Sequence, residues 1–356
     1  MLLLAPSLAA ADARAPHDPI ALARAGTAAL EDHRFGDALD AFTRAAAMQP
    51  EDASHCFGAG VAAVMLGHTA VAQARFECAL RLNPRHLPAA VWLADLHYRA
   101  GRLREAIAIY EAAERRTPDD REIREQLASW RKEEELQSRF REVRTPHFTA
   151  LFEAATDEPR AREVVERLEA AYLRVGKMLG VYPPESIAVV LYSREQFDDI
   201  TKLATWSTSA YDGRIRVPLS DTLNERDELD RVLSHEFVHA VVATIGGRTV
   251  PAWLNEGLAT VIEPAGLQDG EATPTRPDER PALSQLHRSF VGFSRRDAEI
   301  AYASAAHAVR RLIDQHGAAA VVALLQDLGR GTPFVNAFRQ RIGMRYERFA
   351  ALLTHD

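Results

Sequence analysis

Residues 36–50 read GDALDAFTRAAAMQP, and the same pattern returns at 70–84 as AVAQARFECALRLNP and at 104–118 as REAIAIYEAAERRTP. The three segments align without a gap, and their closing prolines, Pro50, Pro84 and Pro118, set a period of 34 residues. An alanine (Ala38, Ala72, Ala106), an aromatic (Phe42, Phe76, Tyr110) and a second alanine (Ala45, Ala79, Ala113) keep the same offsets in each unit. Small residues let two antiparallel helices approach, the aromatic fills the groove between them, and the proline stops the second helix. A period of this length marks units that bury their cores by stacking.

The pattern resembles the tetratricopeptide repeat over residues 19 to about 120. Ala25-Gly26 and Ala59-Gly60 match the small pair of that family's first helix, while its tryptophan position is held by Leu22, Cys56 and Ala90. Alanine-rich helical hairpins are the plainer reading of the same composition; agreement in phase over three units argues against it. The resemblance implies a solenoid whose concave face binds a substrate segment or a partner protein. Residues 119–142 are highly charged with a sparse apolar face, as a capping or connecting helix would be, so 19–142 reads as three repeats plus a cap.

Only two cysteines occur, Cys56 and Cys78, without CxxC spacing, which excludes a disulfide-dense scaffold and argues against a redox or zinc role for them. The default expectation is two buried helical fillers. They also flank the turn at Gly67-His68 at nearly equal distances, so an oxidising compartment could join them if the chain is exported. The start, MLLLAPSLAAADARA, has a leucine and alanine segment followed by small residues, with Ala9 and Ala11 fitting an A-x-A cleavage pattern. Residues 1–18 are therefore expected to be a signal peptide, giving a periplasmic or secreted protein. A short apolar part and no positive n-region leave a disordered leader, and the cytoplasm, as the other reading.

A chain of 356 residues can hold two or three domains, and 47% hydrophobic with 26% charged residues is ordinary globular composition. A net charge of -7 without a basic run argues against nucleic acid as a partner. No apolar stretch approaches the roughly 18 to 20 residues of a membrane span.

At TPHFTALFEA, residues 145–154, helical patterning gives way. A strand is expected at 147–153, an amphipathic helix over 160–180, a buried strand at 186–193 and a helix at 194–203. A turn at Asp212-Gly213 then leads into a strand through Ile215 and Val217. The segment GRIRVP, 213–218, reads either as an edge strand to which an extended peptide could add, or as a strand paired only within its own sheet. Arg214 and Arg216 would be solvated edge charges. From Glu225 onward the chain reads helical except for the Pro- and Gly-rich loop 263–281. The fold class is α+β: an all-α repeat domain followed, over 143–356, by a domain with a small sheet and a mostly helical C-terminal half.

Residues 232–245, VLSHEFVHAVVATI, carry the chemistry. Leu229, Leu233, Phe237 and Val241 mark a helix face against a core, and His235 and His239 lie one turn apart on the opposite face, itself apolar through Val232 and Val242. Burying two imidazoles and the Glu236 carboxylate without partners costs several kcal/mol, and a zinc ion would offset it. In VPAWLNEGLATVIE, 250–263, Pro251 starts a second helix, Leu254 and Leu258 face the core, and Glu256 points from the other side. A His2Glu set results, with one position left open for water. Hydrogen-bonded core histidines are the bland alternative.

HExxH followed by the Asn255-Glu256 pair resembles the gluzincin metallopeptidases, the thermolysin-like group. More narrowly, residues 145 to about 330 look like the peptidase-MA-like domains that follow tetratricopeptide repeats in exported bacterial proteins. The resemblance implies a zinc cofactor on His235, His239 and Glu256, Glu236 as general base, and hydrolysis of peptide bonds in a protein or peptide substrate. Two departures stand out. The aspartate that orients the first histidine in thermolysin-like enzymes is replaced by Thr260, leaving that carboxylate unidentified, and the GxMEN segment of gluzincin aminopeptidases is absent, which favours an endopeptidase. From AEIAYASAAHAVRRLIDQHG, 298–317, Tyr302 is the candidate to hold the oxyanion, Ser304 and His307 are lesser ones, and Tyr302 reads equally well as a core residue. His147, His287 and His316 are expected at the surface or at helix ends. The rival to an enzyme is a degenerate peptidase-like scaffold that acts through its repeats alone.

Overall fold

A computed structural model describes residues 18–153, 157–201, 210–211, 213–219, 226–247, 249–264, 281–290 and 292–353. The expected leader, apart from Asp18, and most of the loop 263–281 lie outside the described residues.

The repeats form three antiparallel pairs and a closing helix: α1 (Pro19–Glu31), α2 (Phe35–Met48), α3 (Ala53–Met65), α4 (Thr69–Leu82), α5 (Leu87–Arg99), α6 (Leu103–Glu114) and α7 (Arg121–Gln137). Asp18, Asp52 and Asp120 cap α1, α3 and α7 by accepting from the backbone N–H of Ile20, Ser54 and Ile123. The small-then-aromatic pattern has a direct cause in packing. A Cβ added at Gly26 or Gly60 would stand 2.8 Å or 2.5 Å from the ring of Phe42 or Phe76, so in the first two units the aromatic of the second helix seats in the space a first-helix glycine leaves. Ala38, Ala72 and Ala106 are fully buried at the same seams. Cys56 and Cys78 form a disulfide, with Cα atoms 6.0 Å apart, which corrects the filler reading. Antiparallel α3 and α4 bring the two residues to one height and also turn their side chains together.

The sheet comprises β1 (Arg141–Arg144), β2 (Phe148–Phe152), β3 (Ile187–Ser193), β4 (Ala210–Tyr211) and β5 (Ile215–Leu219), with α8 (Glu158–Leu179) after β2 and α9 (Arg194–Thr201) after β3. Its order is β1-β2-β3-β5-β4; β2, β3 and β5 run parallel and the two outer strands pair antiparallel. The sheet therefore begins at Arg141, slightly before the boundary at 143 drawn from the sequence. Within 213–218, Ile215 and Arg216 are covered by β3 on one side and β4 on the other, so they are not a free edge, whereas Val217 and Pro218 pair with β3 alone among the described residues.

Arg214 and Arg216 are not solvated either: each is 1% exposed. The reason is Glu133 of α7, itself 1% exposed, which accepts from both terminal nitrogens of Arg216 at 3.2 Å and pairs with Arg214 at 3.2 Å. Tyr98 of α5 and Tyr192 of β3 donate to the same carboxylate at 2.8 Å and 3.2 Å, and Arg214 stacks over the Tyr98 ring at 4.4 Å. The solenoid and the sheet are thus joined by a buried ion cluster.

The hairpin turns of the repeats dock on the same unit. Gly213 abuts the carbonyl of Arg99, Gly247 abuts that of Met65, and Gly331 lies against Leu66 and the backbone of Gly36. All three of these glycines have positive φ, at 103°, 64° and 85°.

The C-terminal half consists of α10 (Arg226–Gly246), α11 (Ala252–Ile262), a 3₁₀ turn Leu283–His287, α12 (Arg295–His316), α13 (Ala318–Gly329), α14 (Phe334–Ile342) and α15 (Tyr346–Leu353). One continuous core runs from the sheet through α8, α10 and α11 to α14, and Leu229, Leu233, Phe237 and Val241 are fully buried in it. His287 ends the 3₁₀ turn, in line with the helix-end expectation, and both His147 and His287 have partners. His147 bonds Glu169 at 2.7 Å and stacks on Tyr172, while His287 meets the Tyr346 hydroxyl at 2.7 Å. His316 ends α12, as expected. Among the described residues no helix is long and apolar enough to cross a membrane.

Candidate metal centre

Helix α10 places His235 and His239 one turn apart, with ring centroids 4.7 Å from each other. Helix α11 runs beside it, and Gly257 permits a close approach of α11 to the Ala305 backbone on α12. Glu256 Oε2 then lies 3.5 Å from His235 Nε2 and 3.3 Å from His239 Nε2. Nitrogen and oxygen ligands about 2.0 to 2.1 Å from a tetrahedral zinc stand roughly 3.3 Å from one another, so these gaps suit such an ion. Among the described residues this is the one group of three with ligand atoms so near, all within 4.8 Å. The three side chains keep 16%, 11% and 20% of their surface exposed, so the group is not sealed in the core.

Both outer imidazole nitrogens are occupied. His235 Nδ1 faces Glu263 Oε1 at 2.7 Å, and His239 Nδ1 faces Asn255 Oδ1 at 3.0 Å. Oxygen acceptors there place the protons on Nδ1 and turn both Nε2 atoms toward Glu256. In the metal-free protein, burial opposes the His235 imidazolium, but hydrogen bonds to Glu256 and Glu263 and the charge of Glu236 carry its pKa up to about 10. His239 is also raised, burial being outweighed by the Glu256 carboxylate. Burial pushes Glu256 up, but the two imidazoles hold it well below the usual carboxylate range. The surrounding carboxylates thus favour positive charge at the two imidazoles.

The carboxylate behind the first histidine is Glu263, which the sequence reading did not find. Thr260, at the expected position, donates instead to the Glu256 carbonyl at 2.9 Å. Glu263 stands one heptad beyond Glu256 and so returns to nearly the same face, a spacing visible in the sequence. It is 6% exposed, and its second oxygen accepts from Arg231 at 3.1 Å. Arg174 of α8 donates to Ser234 Oγ at 2.5 Å and to the Ile262 carbonyl at 3.0 Å, tying together the residues that precede His235 and Glu263.

Glu236, 4% exposed, is near enough to His235, His239 and Tyr302 to act on them electrostatically. Tyr302 is partly buried against the core and lies beside the histidines. Its ring packs on Phe290 at 5.3 Å and lies 6.3 Å from that of His235. Burial, followed by the charges of Glu256, Glu236 and Glu263, drives its pKa upward, so the hydroxyl keeps its proton and can donate. Ser304 is spent on the Ile300 carbonyl at 2.7 Å. His307 is half-buried five residues beyond Tyr302, about 140° round α12.

Comparison with known proteins locates the first part of the chain. Family models described as tetratricopeptide repeat match residues 23–68 and 63–129. A solved structure titled "First TPR of Spaghetti (RPAP3) bound to HSP90 peptide SRMEEVD" is similar at 20% identity, with a TM-score of 0.30, over 32% of this chain and 94% of that one. Comparison with curated proteins returned no match. Residues 23–129 are thus tetratricopeptide repeats, a module type that binds protein partners, in a mostly helical chain with a small mixed sheet. Both family matches end before the histidine helix begins.

Proposed function

We propose that this protein is a zinc-dependent metallopeptidase of the gluzincin type whose repeats bring it a protein or peptide substrate. The observation that carries the reading is the His235, His239 and Glu256 triplet at ligand spacing, with both Nδ1 atoms already held from behind. Zinc bound there would supply a Lewis acid that lowers the pKa of water to about 7 and polarises a peptide carbonyl. Glu236, one residue round the helix from His235, takes the proton of the attacking water and delivers it to the leaving nitrogen. The protonated Tyr302 hydroxyl donates to the developing oxyanion. The sequence has no GxMEN segment to capture a free amine, which supports endopeptidase rather than aminopeptidase action. The disulfide between Cys56 and Cys78 supports an oxidising location, the periplasm or the exterior.

A second reading, a repeat-based binding module with a catalytically degenerate C-terminal domain, is favoured by the family matches, which cover the repeats and not the histidine helix. One experiment separates the two. Metal analysis and peptide-cleavage assays on wild type and Glu236→Gln should give one zinc per chain in both, with hydrolysis only in wild type. Stoichiometric zinc without cleavage of any unfolded protein, or no zinc at all, favours the binding module.

A further inference from the structure

We propose that Glu263, gripped by Arg231, is the positioning residue for the zinc site, fixing the ring orientation and tautomer of His235. The inference rests on the zinc reading above and extends it to a residue outside the ligand set. Glu263 caps α11 at φ -52° and ψ 146°, so the chain leaves the helix there while the side chain remains over α10. One carboxylate oxygen takes His235 Nδ1 at 2.7 Å and the other takes Arg231 at 3.1 Å. Arg231 is itself anchored by Glu228 at 2.7 Å, which leaves the guanidinium little freedom to release Glu263.

Two features mark the arrangement as built for aim. First, the two ligand histidines are backed differently: a buried carboxylate behind His235 and a neutral amide, Asn255, behind His239. A carboxylate makes its imidazole the stronger donor to a cation, because it stabilises the partial positive charge that the ring acquires on ligation. Second, Arg174 bridges Ser234 and the Ile262 carbonyl, which locks the adjacent backbone of α10 against the end of α11. With Arg174 setting the distance between the helices and Arg231 setting the carboxylate, the His235 ring has one orientation in which Nδ1 is satisfied. In that orientation Nε2 faces Glu256.

The test is zinc affinity, measured by competition with a chromogenic chelator, on full-length wild type, Glu263→Gln and Glu263→Ala, together with the visible spectrum of each protein loaded with Co²⁺ and the melting temperature of each in metal-free form. Loss of a carboxylate behind a ligand histidine weakens metal binding about 10- to 100-fold. Glu263→Ala should lie at the upper end and Glu263→Gln, which keeps an acceptor, nearer the lower. The Co²⁺ bands should shift or broaden even where the metal-free melting temperature is unchanged, a change that a purely structural role would not produce. Wild-type affinity within twofold in Glu263→Gln, with an unchanged Co²⁺ spectrum, overturns the proposal while leaving the zinc reading intact. Failure of wild type itself to bind zinc overturns both.

Discussion

Replacing Glu133 by alanine removes the carboxylate that, among the described residues, pairs with both Arg214 and Arg216, and leaves two guanidinium groups, each 1% exposed, in a cluster that has lost its common anion. Tyr98, Tyr192 and Gln137 lose an acceptor in the same step. Breaking a buried ion pair from one side costs about 3 to 5 kcal/mol, because the surviving charge remains desolvated. Against a typical total of roughly 5 to 15 kcal/mol this is a large share. The loss also has a place: Glu133 belongs to the solenoid and both arginines to β5 or its approach, so the damage falls on the contact between the two units. Urea unfolding followed by circular dichroism and by tryptophan fluorescence should therefore show a lower midpoint in Glu133→Ala, and the two probes, coincident in wild type, should separate. Tyr98→Phe, which deletes one donor to Glu133, should cost only about 1 kcal/mol. A Glu133→Ala protein within about 1 kcal/mol of wild type, unfolding in one unchanged transition, would refute the idea that this cluster joins the units.

Zinc binding at pH 8 should release about one proton or more, because His235, with a pKa of about 10 in the metal-free protein, must lose its Nε2 proton to act as a ligand; calorimetry in two buffers of different ionisation enthalpy measures it, and zero release would contradict the site's protonation. The raised pKa also stabilises the metal-free fold fully below the unfolded value near 6.5 and progressively less as pH rises through about 10. Melting temperatures in chelator should fall across that window. Tyr302→Phe should keep its zinc and lower kcat by about 10² or more at nearly constant KM if the phenol serves the oxyanion; an unchanged kcat leaves it a packing residue. Reducing the Cys56–Cys78 bond, which spans 22 residues, should cost about 3 kcal/mol in denaturant titrations, and unreduced denatured protein should show no free thiol.

The repeats were legible because their signal is redundant: an alanine, an aromatic, an alanine and a proline recur in three units, and each position answers to one steric demand. The α10 stripe was legible for a similar reason, since Leu229, Leu233, Phe237 and Val241 repeat a single burial requirement. The arginines of β5 were misread because charge on a strand ordinarily means solvent, and the partner that buries them, Glu133, lies on a helix of the other unit, more than eighty residues earlier. No local pattern reports that pairing. Glu263 escaped for a different reason. Its spacing from Glu256 is visible in the sequence, but the family resemblance points to position 260, and the decisive fact, an extended backbone at the end of α11, exists only in three dimensions. Cys56 and Cys78 fell between these cases: equal height on antiparallel helices could be counted along the chain, whereas the direction of the side chains could not.

The docking of the hairpin turns constrains how such a chain can diverge. Repeat arrays ordinarily lengthen and shorten by duplication or loss of a unit, since each unit contacts only its neighbours. Here Arg99, Met65, Leu66 and Gly36 each meet a particular glycine of the C-terminal unit. Inserting or deleting one 34-residue unit would move the later turns out of register with Gly213, Gly247 and Gly331 and draw Glu133 away from Arg216. The spacing of these three units is therefore held by the surface they lie on, and a further unit would leave the contacts undisturbed only if it were added ahead of α1.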